Sequence, residues 1–155
     1  DALIFFSPDG NENILDEKKI IKYLNEKNDL VIASRMIKGA RNEEDDQFFK
    51  FRKWANNIFN FLANLFFNKN SYITDSINGF RGLKKDKFTK LKCDENFYAI
   101  EFQMTIRSMK IGYKIKEFAT IESDRIAGVS QAPSISTGIT FIRALCREII
   151  INKNF

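Results

Sequence analysis

The sequence predicts an α/β fold, and three observations predict it. A run of strand-forming residues at 2–6 stops at Ser7-Pro8-Asp9-Gly10. A helical pattern follows at 16–25, where Ile20, Ile21 and Leu24 form an apolar stripe. A short continuous apolar stretch, Asp29-Leu30-Val31-Ile32-Ala33, comes directly after it and suits a parallel strand buried on both faces. Strand, helix and strand in such close succession make one βαβ unit.

Each element has a local reason. Residues 2–6 read as a buried strand that ends in a tight polar turn and presents Asp9 at the carboxyl edge of a sheet. Ligands bind at that edge in open α/β sheets. Asp9 and Asn11 carry the oxygen ligands that a hard divalent cation takes. The same Pro, Asp and Gly also serve an ordinary β-turn. Residues 38–47 hold Gly39 and the acidic run Glu43-Glu44-Asp45-Asp46, and read as a mobile, solvated loop.

Residues 48–67 form a long apolar helix. Phe51, Trp54, Ile58, Phe61, Leu62 and Leu65 share one face, and Phe48, Phe59, Phe66 and Phe67 widen it. Two readings stay open. The face is buried against the sheet, or it lies on a membrane surface or a partner with Lys50, Arg52 and Lys53 toward anionic groups. At 73–82, Asn78-Gly79 marks a turn that brings Asp75 and Arg81 near one cavity. Helices follow at 85–91 and 98–110, the second with Ile100, Met104 and Ile106 inward and Gly112 as its stop. Residues 113–119 alternate as a strand with one wet face. Residues 124–130 form a polar loop, and 134–151 a closing helix lined by Ile139, Ile142, Leu145, Ile149 and Ile150.

Composition narrows the function. The chain has 155 residues, 44% hydrophobic and 29% charged, enough for one domain with a real core. It has 0 His, which excludes a histidine triad and a histidine metal site. The 2 cysteines, Cys93 and Cys146, show neither a disulfide framework nor zinc spacing. A net charge of +5 favours anionic partners without choosing among them. Nucleic acid is not expected: no recognition motif appears, and most of the 16 Phe sit at core-like spacing. No apolar run approaches the roughly 20 residues of a spanning helix.

Four pieces stand in a recognisable order: Ser7-Pro8-Asp9-Gly10-Asn11, Ala33-Ser34-Arg35, Asp75 through Gly79-Phe80-Arg81, and Arg125-x-x-Gly128-x-Ser130. Glu101, in a helix, and Glu117, in the following strand, fall between the last two. From residue 2 to about 145, this resembles the C-terminal two-thirds of the catalytic domain of family 2 glycosyltransferases, with the polyprenyl-phosphate (dolichyl-phosphate) hexosyltransferases most similar. The resemblance implies a GT-A fold, a Rossmann-like sheet with a nucleotide-diphospho-sugar at its carboxyl edge. It implies an N-terminal part, holding base and ribose, that is missing here, so the chain is expected to be a piece of a longer protein.

The resemblance also assigns roles. Asp9 matches the second Asp of an Asp-x-Asp motif that holds Mg2+ or Mn2+, Ser7 stands where the first is expected, and Asn11 matches a further metal-ligand position. Ser34, Arg35, Arg81 and Ser130 fall on substrate- or phosphate-binding positions, and Asp75 and Arg125 on catalytic ones. Gln131 stands where the family often has Lys, and Glu117-Phe118-Ala119 lacks the family's Pro. The implied reaction is inverting hexose transfer to a lipid phosphate, at the cytoplasmic face of a membrane. A saccharide hydroxyl acceptor would need a general base, with Asp75 the candidate by position. A non-catalytic membrane-associated domain is the remaining alternative.

Overall fold

The computed structural model describes residues 1–7, 10–46, 48–123 and 134–155, the side chains of 134 and 135 excepted. The elements run β1 (Ala2–Phe5), α1 (Asp16–Asn25), β2 (Leu30–Ser34), α2 (Phe51–Phe67), β3 (Arg81–Lys84), α3 (Lys85–Leu91), α4 (Ala99–Ile111), β4 (Ile115–Ala119) and α5 (Ser134–Ile151). They build a mixed α/β structure on a four-stranded sheet of order β1-β3-β2-β4.

The expected βαβ unit is present in direction but not in adjacency. β1 and β2 run the same way because each is antiparallel to β3, which lies between them. β2 pairs in parallel with β4, from Leu30↔Ile115 to Ser34↔Ala119. β1 is therefore an edge strand, partly exposed, and not the buried strand its composition suggests. β2 is central and buried along its whole length, as its apolar run requires.

β3 escapes a sequence reading because Arg-Gly-Leu-Lys has neither alternation nor β-branched residues. Its pairing comes from both neighbours, and its Gly82 lets α1 approach closely. A Cβ at Gly82 would stand 2.3 Å from Ile20 Cγ2, on a stiff β-branched side chain. Ile20 and Leu24 of α1 then pack with Val31, Ala33, Phe80 and Phe118. A second cluster gathers Leu30, Ile32, Leu83, Leu91, Met104 and Met109. A third joins α2, α4 and α5 through the mutually packed rings of Phe59, Phe102 and Phe141.

In α2 most of the apolar face for which two readings stood open points outward, not toward the sheet. Phe51, Trp54, Ile58, Phe61, Leu65 and Phe66 are each between 53% and 63% exposed. The buried face carries Phe59, Asn60, Ala63 and Asn64. Asn60 Nδ2 donates to Thr74 O, and its Oδ1 accepts from Ser76 N and Ser76 Oγ. Asn64 Nδ2 donates to Ile73 O at 2.7 Å and its Oδ1 accepts from Ile73 N at 2.8 Å. The 73–76 segment has no strand partner for these backbone groups, so the asparagines satisfy them.

α5 repeats the pattern. Phe141, Ala144, Leu145 and Glu148 are buried, while Ile139, Ile142, Ile149 and Ile150 are exposed. Glu148 receives Arg107 Nε at 2.9 Å, Lys110 Nζ at 2.5 Å and Gln103 Nε2 at 3.0 Å, all from α4. α4 is buried from Phe102 to Lys110, having helices on one side and the sheet on the other.

The acidic run is not the free loop its charge suggests. Glu44 Oε2 accepts from Lys53 N, in the first turn of α2, where a negative charge is favoured. Glu43 pairs with Arg52 at 3.3 Å, and Asp45 with Lys53 and, at 3.9 Å, with Lys50. The three cations expected to face outside anions are therefore engaged within the chain.

Two measurements check this account. Asn64→Ala should cost about 2–4 kcal/mol in urea unfolding, because two buried backbone groups lose partners, whereas Ile58→Ser should stay within about 0.5 kcal/mol. Gly82→Ala should cost about 1–3 kcal/mol through the clash with Ile20; in the Gly82→Ala/Ile20→Ala double variant the two costs should sum to less than additivity.

Candidate functional site

β2, β4 and the start of β3 deliver their polar residues to one edge of the sheet. β2 ends there with Ser34 and leads into Arg35, and β4 runs beside it toward Thr120 and Glu122. β3, being antiparallel, begins there, and Phe5 of β1 pairs with Arg81 at the same edge. The segment after β1 meets the segment after β4 directly: Ser123 N donates to Asn11 O at 2.8 Å, and Asn11 Nδ2 to Glu122 Oε1 at 3.1 Å.

An ion pair lies at the centre. Arg35 donates through Nε to Asp75 Oδ2 at 2.9 Å, through Nη2 to Oδ1 at 3.1 Å, and through its backbone N to Oδ2 at 3.0 Å. Its Nη1 stands 3.6 Å from Glu122 Oε1. Asp75 is 0% exposed. Burial alone would raise its carboxyl, but the charge and hydrogen bonds of Arg35 outweigh burial and hold it below the usual carboxylate range. The same partners hold the Arg35 guanidinium above its ordinary value, against burial.

The chain around Asp75 is fixed from every side. Glu117 of β4 accepts from Thr74 N at 2.9 Å, Thr74 Oγ1 at 3.0 Å and Asp75 N at 2.9 Å. Asn78 Nδ2 donates to Ala33 O of β2, and Asn78 N to Asp75 Oδ1. Ser34 is buried, its Oγ 2.7 Å from Thr74 Oγ1 and accepting from Met36 N.

Arg81, expected at a phosphate, sits in the interior at 0% exposure. Nε donates to Asn78 O, Nη1 to Glu101 O and Thr105 Oγ1, and Nη2 to Ser76 O and Asn78 O. A guanidinium has five donors, and all are spent on the protein, so Arg81 clamps the Asp75 turn to α4 and has none left for a phosphate. Burial brings it down to about 10, against the opposing charges of Glu101 and Asp75.

The sites named from sequence thus divide. Asn11, Ser34, Arg35 and Asp75 come together, and Arg81 supports them from beneath. Asp9, Arg125 and Ser130 lie outside the described residues. Glu122 and Glu117 were not singled out as site residues, although each is lodged against Asp75 or Arg35. Burial raises both carboxyls, in Glu122 against the pull of Arg35 and in Glu117 against the hydrogen bonds of Thr74 and Asp75. The sequence showed Glu117 only as the acid of Glu117-Phe118-Ala119 in the family-like motif order, with no site role attached.

Asn11 is buried, and its Oδ1 has no hydrogen-bond partner among the described residues. A carbonyl oxygen in that condition is a hard donor suited to Mg2+ or Mn2+. Among the described residues no group of three or more His, Cys, Asp or Glu is placed to hold a metal ion.

No protein-family model matches the chain, and no match was found among curated proteins.

The pH dependence follows from the pair. Asp75 holds its proton less tightly folded than at its ordinary value of 3.8, so its stabilisation is present above about pH 4 and is lost as pH falls through the lower folded value. Asp75→Asn should flatten that acid limb in urea melts taken from pH 2 upward, and should cost about 3–5 kcal/mol at pH 7 by stranding Arg35. Arg35→Met in the same chain should recover part of that loss.

Proposed function

We propose that the protein is an inverting glycosyltransferase that moves a hexose from a nucleotide-diphospho-sugar to a polyprenyl phosphate. The observation that carries this reading is the meeting of Asn11, Arg35 and Asp75, drawn from three separated stretches of the chain, at one sheet edge beside Glu122. Those stretches are the ones that resemble family 2 glycosyltransferases.

In this mechanism Asn11 and Asp9 would hold Mg2+ or Mn2+, which neutralises charge on a departing diphosphate. Arg35 is oriented by Asp75 through two parallel hydrogen bonds, and its Nη1, 3.6 Å from Glu122 Oε1, would be the donor offered to a phosphate oxygen. Arg125 supplies a second guanidinium to phosphate. Asp75 serves as the residue that positions Arg35, because its depressed pKa makes it a poor proton acceptor. An acceptor phosphate is already anionic and asks for no base.

A saccharide hydroxyl acceptor, as in surface-polysaccharide synthesis, is the second reading. It is favoured by Glu122, whose affinity for a proton burial increases. Such a reaction would use that carboxyl as base.

The experiment incubates the full-length protein with UDP- and GDP-hexoses and either a short-chain polyprenyl phosphate or a saccharide, and measures nucleoside diphosphate release. Transfer to the lipid phosphate is expected, dependent on added Mg2+ or Mn2+, with Asp9→Ala reducing it by about 100-fold or more. Transfer that survives Asp9→Ala with unchanged metal dependence removes Asp9 from the mechanism. No turnover with any donor removes the proposal.

A further inference from the structure

α2 and α5 touch α4 and each other, and both turn large apolar side chains away from it. On α2 the outward residues are Phe51, Trp54, Ile58, Phe61 and Leu65, alternately three and four apart. On α5 they are Ile139, Ile142, Cys146 and Ile149, with the same alternation. A strict alternation of three and four is the narrow seam on which one helix packs on another, knobs into holes.

The two seams are in step. Phe59 of α2 packs on Phe141 of α5, and the Lys110 ammonium lies over the Phe67 ring while it bonds Glu148. The helices therefore run the same way, with Ile58 level with Ile139, Phe61 with Ile142 and Leu65 with Cys146. We propose that this two-helix surface pairs with its counterpart on a second copy of the chain, giving a two-fold dimer whose interface is a four-helix bundle. The exposed side chains of the two seams offer on the order of 1,000 Å² per chain, and a stable interface takes about 800 Å² from each partner.

Charge and shape choose the pairing. α2 contains no Asp or Glu, and Ala55, Asn57 and Leu62 stand beside its seam, so no charge there opposes a helix laid on it. α5 has Arg143 beside its seam, exposed. Laying α5 on the partner's α5 would bring that arginine toward its own copy, whereas laying it on the partner's α2 sets it beside uncharged side chains. The second arrangement also places the aromatic seam against the aliphatic one, large against small. Its two-fold axis runs along the groove between α2 and α5, so Phe61 meets the partner's Ile142 and Leu65 meets the partner's Cys146. A helix that lies on lipid presents cations around its apolar face, but Arg52 and Lys53 are held by Glu43, Glu44 and Asp45, and Arg147 by Asp94 and Glu95.

The inference requires no sugar donor and no metal, so its failure and the failure of the transferase reading are separately visible.

Trp54 is the chain's 1 tryptophan and lies on the seam, so its emission reports pairing without a label. The intact protein is taken through a dilution series, with and without phosphatidylglycerol vesicles, and read by sedimentation velocity and by fluorescence. The expected result is a lipid-independent dimer that dissociates on dilution with a red shift of Trp54. Phe61→Glu should raise the dissociation constant by about 30-fold or more. Under mild oxidation Leu65→Cys should give a disulfide-linked dimer, and Leu65→Cys/Cys146→Ser should not. Urea melts at a dilution that separates the copies should show the variants folded, since Phe61, Leu65 and Cys146 are exposed. A monomer at every concentration, a dimer that Phe61→Glu leaves intact, no cross-link in Leu65→Cys or one that survives Cys146→Ser, or a Trp54 shift that needs the vesicles would each overturn the proposal.

Discussion

The contact on which the structure turns is the buried pair of Arg35 and Asp75. Taking both charges out of water costs several kcal/mol per ion, and their attraction compensates only when geometry is good and the remaining polar groups are satisfied. The surroundings meet that condition. Asp75 receives both arms of the guanidinium, two backbone N–H groups and no water-facing edge. Glu117, Asn60 and Arg81 then hold the turn bearing Asp75 from β4, α2 and β3, and the turn's own Asn78 ties it to Ala33 O of β2. A turn with no strand pairing of its own is fixed by side chains from three elements and by its own asparagine on a fourth. A binding constellation needs that kind of support if its first residues are to keep their geometry.

The sequence disclosed the elements better than their arrangement. Residues 16–25, 85–91 and 134–151 have helical spacing strong enough that the observed helices share those bounds. β2 announced itself by the continuous apolar run Leu30-Val31-Ile32-Ala33, and the structure buries it along its whole length. β3 did not, because its pairing comes from what lies on either side and from a glycine that admits α1. Of the candidate site, the placement of Asn11, Ser34, Arg35 and Asp75 near one another was legible from motif order. The interior role of Arg81 was not. Sequence shows that an arginine follows Gly79-Phe80, but not that four protein acceptors take all of its donors.

A second ionic cluster shows why periodicity misled at α5 as well. Glu148 sits at 0% exposure because α4 supplies Arg107, Lys110 and Gln103. Arg107 also donates to Leu91 O and stands with its guanidinium 4.5 Å from the ring of Phe155. An apolar stripe count treats Glu148 as a solvent residue and its isoleucine neighbours as core. Once that carboxylate is committed inward, the helix can bury only the residues on its side, Phe141, Ala144 and Leu145.

The same reasoning fixes the rotation of α2, and it bears on what the outer face is for. A turn of the helix that buried Phe61 and Ile58 would gain about 1.5–3 kcal/mol for each such side chain. It would also withdraw Asn60 and Asn64 from the 73–76 segment, breaking five hydrogen bonds to groups that have no other partner among the described residues. At about 1–3 kcal/mol for each buried group left unsatisfied, that loss outweighs the gain. The polar inner face thus sets the helix, and the aromatic outer face is what remains. A helix read only for solubility would carry Lys or Glu at those outer positions. This one carries Phe51, Trp54, Ile58, Phe61 and Leu65, with no acid in its length. One side of α2 therefore positions the segment that bears Asp75, and the other is left with its large apolar side chains exposed.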